Sequence, residues 1–313
     1  MKEKLIIKVS EILKSNGFET VECIGIHSAF DIIAKKEFVL LIKILSNIEA
    51  LTLKISNELK KLANITSGFP IVVGYYMKDK KLMNRTIYFR YDIPVVNLRT
   101  FRGIISGEFP NIYTVHGNYC VKINSDALSE LRRKLKMTQE ELAEELGISK
   151  QSIYRYESYG NVSFHIAEKI RKLFGADLLE YLNLKYDEIF DFKKICYTEG
   201  KDDLNYEKIP KLERIVISEL QSLGFKISIT NAPFDLVALE IPENEKVFAI
   251  VSNDVIGLKK RAEIIKKISS MLNAYKVCIS ERKHEIDILV IKPKDISEIS
   301  RAKDLIKLLK EEG

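Results

Sequence analysis

The sequence predicts a chain of mixed class: an all-α helical bundle set between two related mixed-sheet α/β domains. Two observations carry this. Apolar residues recur at helical spacing between residues 125 and 174. A segment near the start of the chain also returns near its end, on the far side of those helices. With 313 residues there is room for two or three domains. The expected boundaries are 1–124 for the first α/β domain, 125–185 for the bundle, 186–205 for a linker and 206–313 for the second α/β domain. The linker is assigned from its mixed charge around Gly200 and Asp202-Asp203.

The bundle is read from SDALSELRRKLKMTQEELAEELGISKQSIYRYE, residues 125–157. Leu128, Leu131 and Leu135 give the stripe of a first helix. Thr138 can cap the next helix, and Glu141, three residues on, completes a capping box. Ala143 is small where a second helix must cross closely, and Gly147 permits the left-handed residue that ends this helix. Ser149 can cap the helix that follows, whose inner stripe is Ile153 and Tyr156, packed by Leu142, Leu146 and Ile148. Ile166, Ile170, Leu173 and Phe174 form a further stripe. Two short helices joined by a tight glycine turn make a helix-turn-helix, whose second helix has the size to enter the DNA major groove.

The repeat is read from four paired positions. Ser10-Glu11 answers Ser218-Glu219, Gly17-Phe18 answers Gly224-Phe225, Phe30-Asp31 answers Phe234-Asp235, and Ser46-Asn47 answers Ser252-Asn253. Each copy reads as helix, glycine turn, strand and a hairpin of apolar strands. A helix follows (51–62 or 258–272), then another apolar strand (70–75 or 276–280). Further strands are expected at 87–89, 95–98 and 286–291, with a closing helix in RAKDLIKLLKEEG.

Composition narrows the function classes. No apolar run approaches the ~18 residues of a membrane span, and the first residues are an amphipathic helix interrupted by charge, not a signal peptide. Cys23, Cys120, Cys196 and Cys278 are far apart and form no CxxC pair, so neither a zinc site nor a disulfide framework is expected. A cytoplasmic protein without a cofactor is the simplest reading. No phosphate-loop, dinucleotide-turn or GxSxG motif is present, and His27, His116, His165 and His284 stand isolated. The net charge of +6 is uneven. Residues 1–124 hold 18 Lys+Arg against 11 Asp+Glu, whereas residues 125–185 hold 10 of each. The basic excess could help contact phosphates or be an ordinary solvated lysine surface.

The pattern LxxLRRxxxMTQEELAEELGISKQSIYRYE resembles the DNA-binding domain of the phage-repressor (Cro/cI, or Xre) family. The element order of the two copies, with Phe30-Asp31 and Lys43, resembles the PD-(D/E)XK nuclease-like fold. That resemblance implies an acid on the hairpin and an acid-x-lysine on the next strand, together holding a divalent metal. Asp31 and Lys43 fit, but Leu41 stands where the second acid belongs. In the second copy Asp235 remains, while aligning the Ser-Asn pairs puts Val247 and Ala249 at the acid and lysine positions. Glu11 and Glu219 could be further acids. Both copies are therefore expected to be catalytically dead scaffolds. Lys43 is then either a phosphate contact or a lysine snorkelling from a strand end. The three-part arrangement resembles an archaeal family of helix-turn-helix transcriptional regulators.

The expected function is a sequence-specific regulator that binds double-stranded DNA as a homodimer, open to an unidentified effector. The alternatives are a metal-dependent nuclease targeted by its helix-turn-helix, and a protein-interaction or antitoxin-like scaffold. The expected DNA-binding residues are Gln139, Ser149, Lys150, Gln151, Ser152, Tyr154 and Arg155. Gln151 suits adenine, Lys150 and Arg155 suit guanine or phosphate, and Gln139 suits a phosphate at a helix start. No catalytic or metal-binding residue is expected.

Overall fold

The computed structural model describes residues 2–108, 110, 112–115, 117–175, 209–241 and 243–312. The expected linker at 186–205, the end of the bundle beyond residue 175, His116 and Cys196 lie outside the described residues. Contacts divide the chain into two compact units that do not follow chain order: residues 1–44, 52–70 and 195–313, and residues 45–51 and 71–194.

The first unit holds the leading part of copy one and the whole of copy two. Copy one runs α1 (Lys2–Ser15), β1 (Glu19–Glu22), β2 (Ile32–Lys35), β3 (Val39–Asn47) and α2 (Leu53–Thr66), then enters β4 (Gly68–Met77). Strands β1, β2 and β3 pair antiparallel, with Ile33 opposite Leu41. Thr52 caps α2, accepting the Ile55 amide, so the helix starts two residues later and ends four residues later than its sequence pattern suggested. Gly17, at φ +82°, makes the turn after α1.

The second unit holds the rest of copy one and the bundle. Beyond β4 come β5 (Lys80–Lys81), β6 (Thr86–Arg90), β7 (Ile93–Asn97), α3 (Leu98–Ile105), β8 (Ile112–Val115) and β9 (Asn118–Lys122). The bundle is α4 (Ser125–Lys134), α5 (Gln139–Leu146), α6 (Lys150–Tyr159), β10 (Asn161–Ser163) and α7 (Phe164–Phe174). Strand β7 is parallel to β4 and antiparallel to β6, and β6 is parallel to β8. Strand β10 pairs antiparallel with β9, placing Val162 opposite Val121. This strand was absent from the sequence reading. A three-residue strand has too short an alternation to show as a pattern.

Copy two lies wholly in the first unit: α8 (Lys211–Ser222), β11 (Lys226–Ile229), β12 (Leu236–Leu239), β13 (Lys246–Val251), α9 (Leu258–Leu272), β14 (Tyr275–Ile279), β15 (Val290–Ile291), α10 (Pro293–Ser297) and α11 (Ala302–Glu312). Its sheet order is β11-β12-β13-β14-β15, antiparallel through β13 and parallel after it. The strand expected at 286–291 is only two residues long. Helices α8 and α11 cover a core of Val216, Leu220, Leu236, Ala249 and Leu305.

Within the first unit the two copies meet reciprocally. Lys61 on α2 donates to the Ile229 carbonyl of β11, and Glu58 accepts the Asn231 amide. In the other direction α9 lies against β1, and Lys35 on β2 donates to the Met271 carbonyl at 2.6 Å. The same two elements exchange roles, which is the geometry of an internal pseudo-dimer.

Candidate nucleic-acid interface

The bundle core assembles Leu128, Leu142, Ala143, Leu146, Ile153, Ile166 and Ile170 with Val121, Ile123 and Val162 from the β9–β10 pair. Ile153 is fully buried and Tyr156 half-buried, as a helix with its opposite face in solvent requires. Leu135 departs from its expected stripe. The first helix stops at Lys134 and Lys136 sits at φ +58°, so the chain has turned away and Leu135 is 55% exposed.

The termini are fixed by local chemistry. The Thr138 hydroxyl accepts the Glu141 amide at 3.2 Å while the Glu141 carboxylate accepts the Thr138 amide at 2.7 Å. Gly147 takes φ +68° at the turn, and the Ser149 hydroxyl accepts the Ser152 amide at 3.2 Å. Gly160 closes α6 at φ +68°, and there is no room for a side chain. An added Cβ would stand 2.4 Å from the Ile123 carbonyl oxygen. Gly160→Ala is therefore expected to destabilise the bundle by about 2 kcal/mol through strain and displacement of β9. Denaturant unfolding checks this, and a change under about 0.5 kcal/mol would contradict the close packing.

These elements set where the seven expected residues stand. Lys150, Gln151, Tyr154 and Arg155 are exposed on α6. Tyr154 is 58% exposed. Gln151 forms no side-chain hydrogen bond with the described residues. Lys150 pairs with Glu140 at 3.2 Å, an exposed contact that solvent screens. Ser149 is exposed and Ser152 half-buried; their hydroxyls bond each other at 2.9 Å, and Arg155 donates to Ser152 at 3.3 Å. Gln139 is half-buried at the start of α5, with its amide nitrogen donating to Glu157 at 2.7 Å.

That last contact belongs to a network the sequence reading missed. Arg132 on α4 grips Glu157 on α6 with two hydrogen bonds, 2.6 and 3.1 Å, and donates a third to the Met137 carbonyl at 2.9 Å. Both side chains are largely buried. Burial pushes the Glu157 carboxyl up, but the bonds from Arg132 and Gln139 outweigh it and the pKa falls below its ordinary value. The bond to Glu157 likewise raises Arg132. The available signal was the Arg132–Glu157 pair of opposite charges flanking the motif, 25 residues apart.

The paired acids of the repeat are held differently from a metal site. Asp31 is 5% exposed and accepts the Ile44 amide at 2.7 Å. Lys2 reaches it at 2.8 Å and Lys43 at 3.5 Å. Lys43 also donates to the Ser28 carbonyl at 2.7 Å, so it is buried and engaged, not presented to a phosphate. Desolvation lowers its pKa against the pull of Asp31. Asp235 repeats the arrangement, accepting the Val251 amide at 2.8 Å and pairing with Arg261 at 2.7 Å. In each copy a cation of the chain itself occupies the acid's free side.

The register corrects one alignment. Asp31 donates its amide to Ile42, and Asp235 donates its amide to Ala249. Leu41 and Lys43 therefore correspond to Phe248 and Ile250, not to Val247 and Ala249. The Ser-Asn pair misled because β3 extends to Asn47 whereas β13 stops at Val251. Phe248 stacks on Phe234 with ring centroids 4.5 Å apart, so an aromatic ring fills the place of the second acid. Glu11 is exposed and Glu219 half-buried on the leading helices, and neither hydrogen-bonds to Asp31 or Asp235.

Residues 2–110 match the model of the PD-(D/E)XK superfamily domain, and residues 128–181 match a helix-turn-helix model. A "Putative HTH-type transcriptional regulatory protein" of Methanocaldococcus jannaschii is 30% identical, over 99% of this chain and 97% of its own. Proteins of the same description from Methanococcus maripaludis strain C6 and Archaeoglobus fulgidus are 32% and 30% identical, over 99% of this chain and 96% and 98% of theirs. End-to-end likeness at this level, with both domain models in their places, makes the chain a member of this family of helix-turn-helix-type regulatory proteins found in archaea.

Proposed function

We propose that the protein is a sequence-specific DNA-binding transcriptional regulator that lays α6 in the major groove. The observation that carries this is the exposed face of α6, where Lys150, Gln151, Tyr154 and Arg155 project from a helix clamped by Ile153 and Glu157. Helix N-terminal residues reach base edges in this motif, so Gln151 is assigned to a base and Lys150 and Arg155 to guanine or phosphate. The half-buried Gln139 and the hydroxyls of Ser149 and Ser152 border the phosphate backbone, held in place by the bonds they already make.

One bundle reads a short half-site, so we assign the working form as a homodimer spanning two half-sites about one helical turn apart. Light scattering is expected to give twice the chain mass of 36.0 kDa. A monomer that still binds a single half-site tightly contradicts the dimer. Hydroxyl-radical footprinting of a bound genomic fragment tests the groove assignment. Two protected patches one turn apart support it, and uniform, sequence-independent protection opposes it.

A second reading, a DNA-cleaving enzyme steered by its bundle, draws on the PD-(D/E)XK match. Opposing it are the chain's own cations on Asp31 and Asp235 and the apolar Leu41 and Phe248 in the second acid position. One carboxylate cannot fix a divalent ion that needs several oxygen ligands. We therefore assign the repeat copies a scaffolding role and a cytoplasmic setting. Cys23 and Cys278 are free thiols, and no helix among the described residues is long and apolar enough to cross a membrane. Plasmid, single-stranded and branched DNA with magnesium or manganese are expected to remain intact. Cleavage that disappears in Asp31→Ala would establish the nuclease.

A further inference from the structure

The second unit carries a cleft that the DNA-binding reading does not use. It has a volume of about 860 Å³ and lies between the β4–β5 hairpin and α3. Its chemistry is concentrated in Tyr75, Tyr76, Lys81, Asn84, Arg99 and Arg102. The volume falls in the range of small-molecule sites, roughly 300–1,000 Å³.

Three cations converge on this one recess. Lys81, Arg99 and Arg102 are exposed, and none pairs with a carboxylate among the described residues. Some other cations of the same unit are matched, as Arg90 with Glu49 and Arg132 with Glu157, while others, such as Arg85 and Arg133, stand without a carboxylate as these three do. One acid, Glu108, lines the cleft against the three cations. The half-buried phenol groups of Tyr75 and Tyr76 make no hydrogen bond with the described residues, and Tyr76 shares its sheet face with Lys81.

The cleft is also braced. Buried Asn97 accepts the Thr100 amide at 2.8 Å and so caps α3, while its own amide nitrogen donates to the Leu82 carbonyl at 3.0 Å and to Asn84 at 2.9 Å. One side chain thereby ties the segment after β5 to the helix that carries both arginines. The start of α3 adds backbone amides without intrahelical partners, which favour negative charge.

We infer that this cleft binds a small phosphorylated ligand bearing a planar ring, of the nucleotide class. Arg99 and Arg102 take phosphate oxygens through paired guanidinium donors, and Lys81 adds a point charge. Tyr76, on the same face of the β4–β5 ladder as its partner Lys81, holds the ring by stacking. A DNA backbone offers the same phosphate chemistry, but a recess braced on two sides suits a small molecule better than a duplex. The site would make this unit a sensor as well as a reader of DNA, since bundle and cleft belong to the same compact unit.

The test is calorimetric titration of the full chain with ATP, AMP and inorganic triphosphate, and in a separate arm with a random-sequence duplex. Wild type is expected to bind ATP saturably. Arg99→Ala/Arg102→Ala is expected to weaken ATP about tenfold or more, and Tyr76→Ala to weaken ATP but not triphosphate. All three positions lie on the surface or half-buried, and a melting curve confirms that each variant folds. Should folding of the double variant suffer, Lys81→Ala supplies the same readout with one charge fewer. No saturable binding of any of the three probes overturns the proposal. It is overturned equally if the variants bind ATP like wild type, or if the arginine variant loses only duplex affinity.

Discussion

Arg132→Met is expected to lower the stability of the bundle by roughly 3 kcal/mol, because it leaves the Glu157 carboxylate largely buried without its main partner. Methionine keeps most of the side-chain volume, so lost packing contributes little. The unfolding transition that includes the bundle should drop by about 10 °C. The double change Arg132→Met/Glu157→Leu should recover much of the loss, since no charge is then buried unpaired. The sign of the pH effect follows from the lowered pKa of Glu157. Its contribution is present above the unfolded carboxylate pKa and disappears as pH falls through the lower folded value. Wild type should thus lose stability in acid more steeply than the double variant. Equal acid slopes and a loss below 1 kcal/mol for Arg132→Met would sink this account of the α4–α6 clamp.

Gln151→Ala is expected to reduce operator affinity by about 1–3 kcal/mol, roughly fivefold to 150-fold, and to relax the choice of base at one position in each half-site. Its side chain is exposed and bonds no described residue, so the fold should be untouched. Arg155→Ala provides the contrast. If Arg155 meets phosphate, affinity falls uniformly across sequences and the salt dependence becomes shallower, without a change in base preference. Fluorescence anisotropy at several salt concentrations separates the two behaviours. An unchanged preference in Gln151→Ala would remove Gln151 from the base-reading set.

The helix-turn-helix was legible in the sequence because its determinants are local. A capping box closes within three residues at Thr138–Glu141, and Gly147 and Ser149 govern only the turn beside them. Helix α9 begins and ends where its apolar period does, at Leu258 and Leu272. What escaped the sequence depends on pairing across distance. Glu157 finds Arg132 from 25 residues away, and in doing so takes up the Gln139 amide expected to meet a phosphate. Strand β10 exists through its ladder to β9. The register of the second copy is set by amides that bond Asp235, not by the Ser-Asn pair that follows the strand. Leu135 had the right spacing, but the helix ends before it. The loss of the second acid was readable in copy one at Leu41. The cations that settle onto Asp31 and Asp235 were not, since Lys2 and Arg261 come from other elements.

The measurement that bears most directly on the central claim is selection of bound duplexes from a randomised library by the full chain at physiological salt. Enrichment of a symmetric motif with two half-sites about 10 base pairs apart is expected. Gln151→Ala should lose the preference at one position of each half-site. A wild-type selection that returns no motif, or a motif unchanged in the α6 variant, would contradict the assignment of this helix to the reading of DNA.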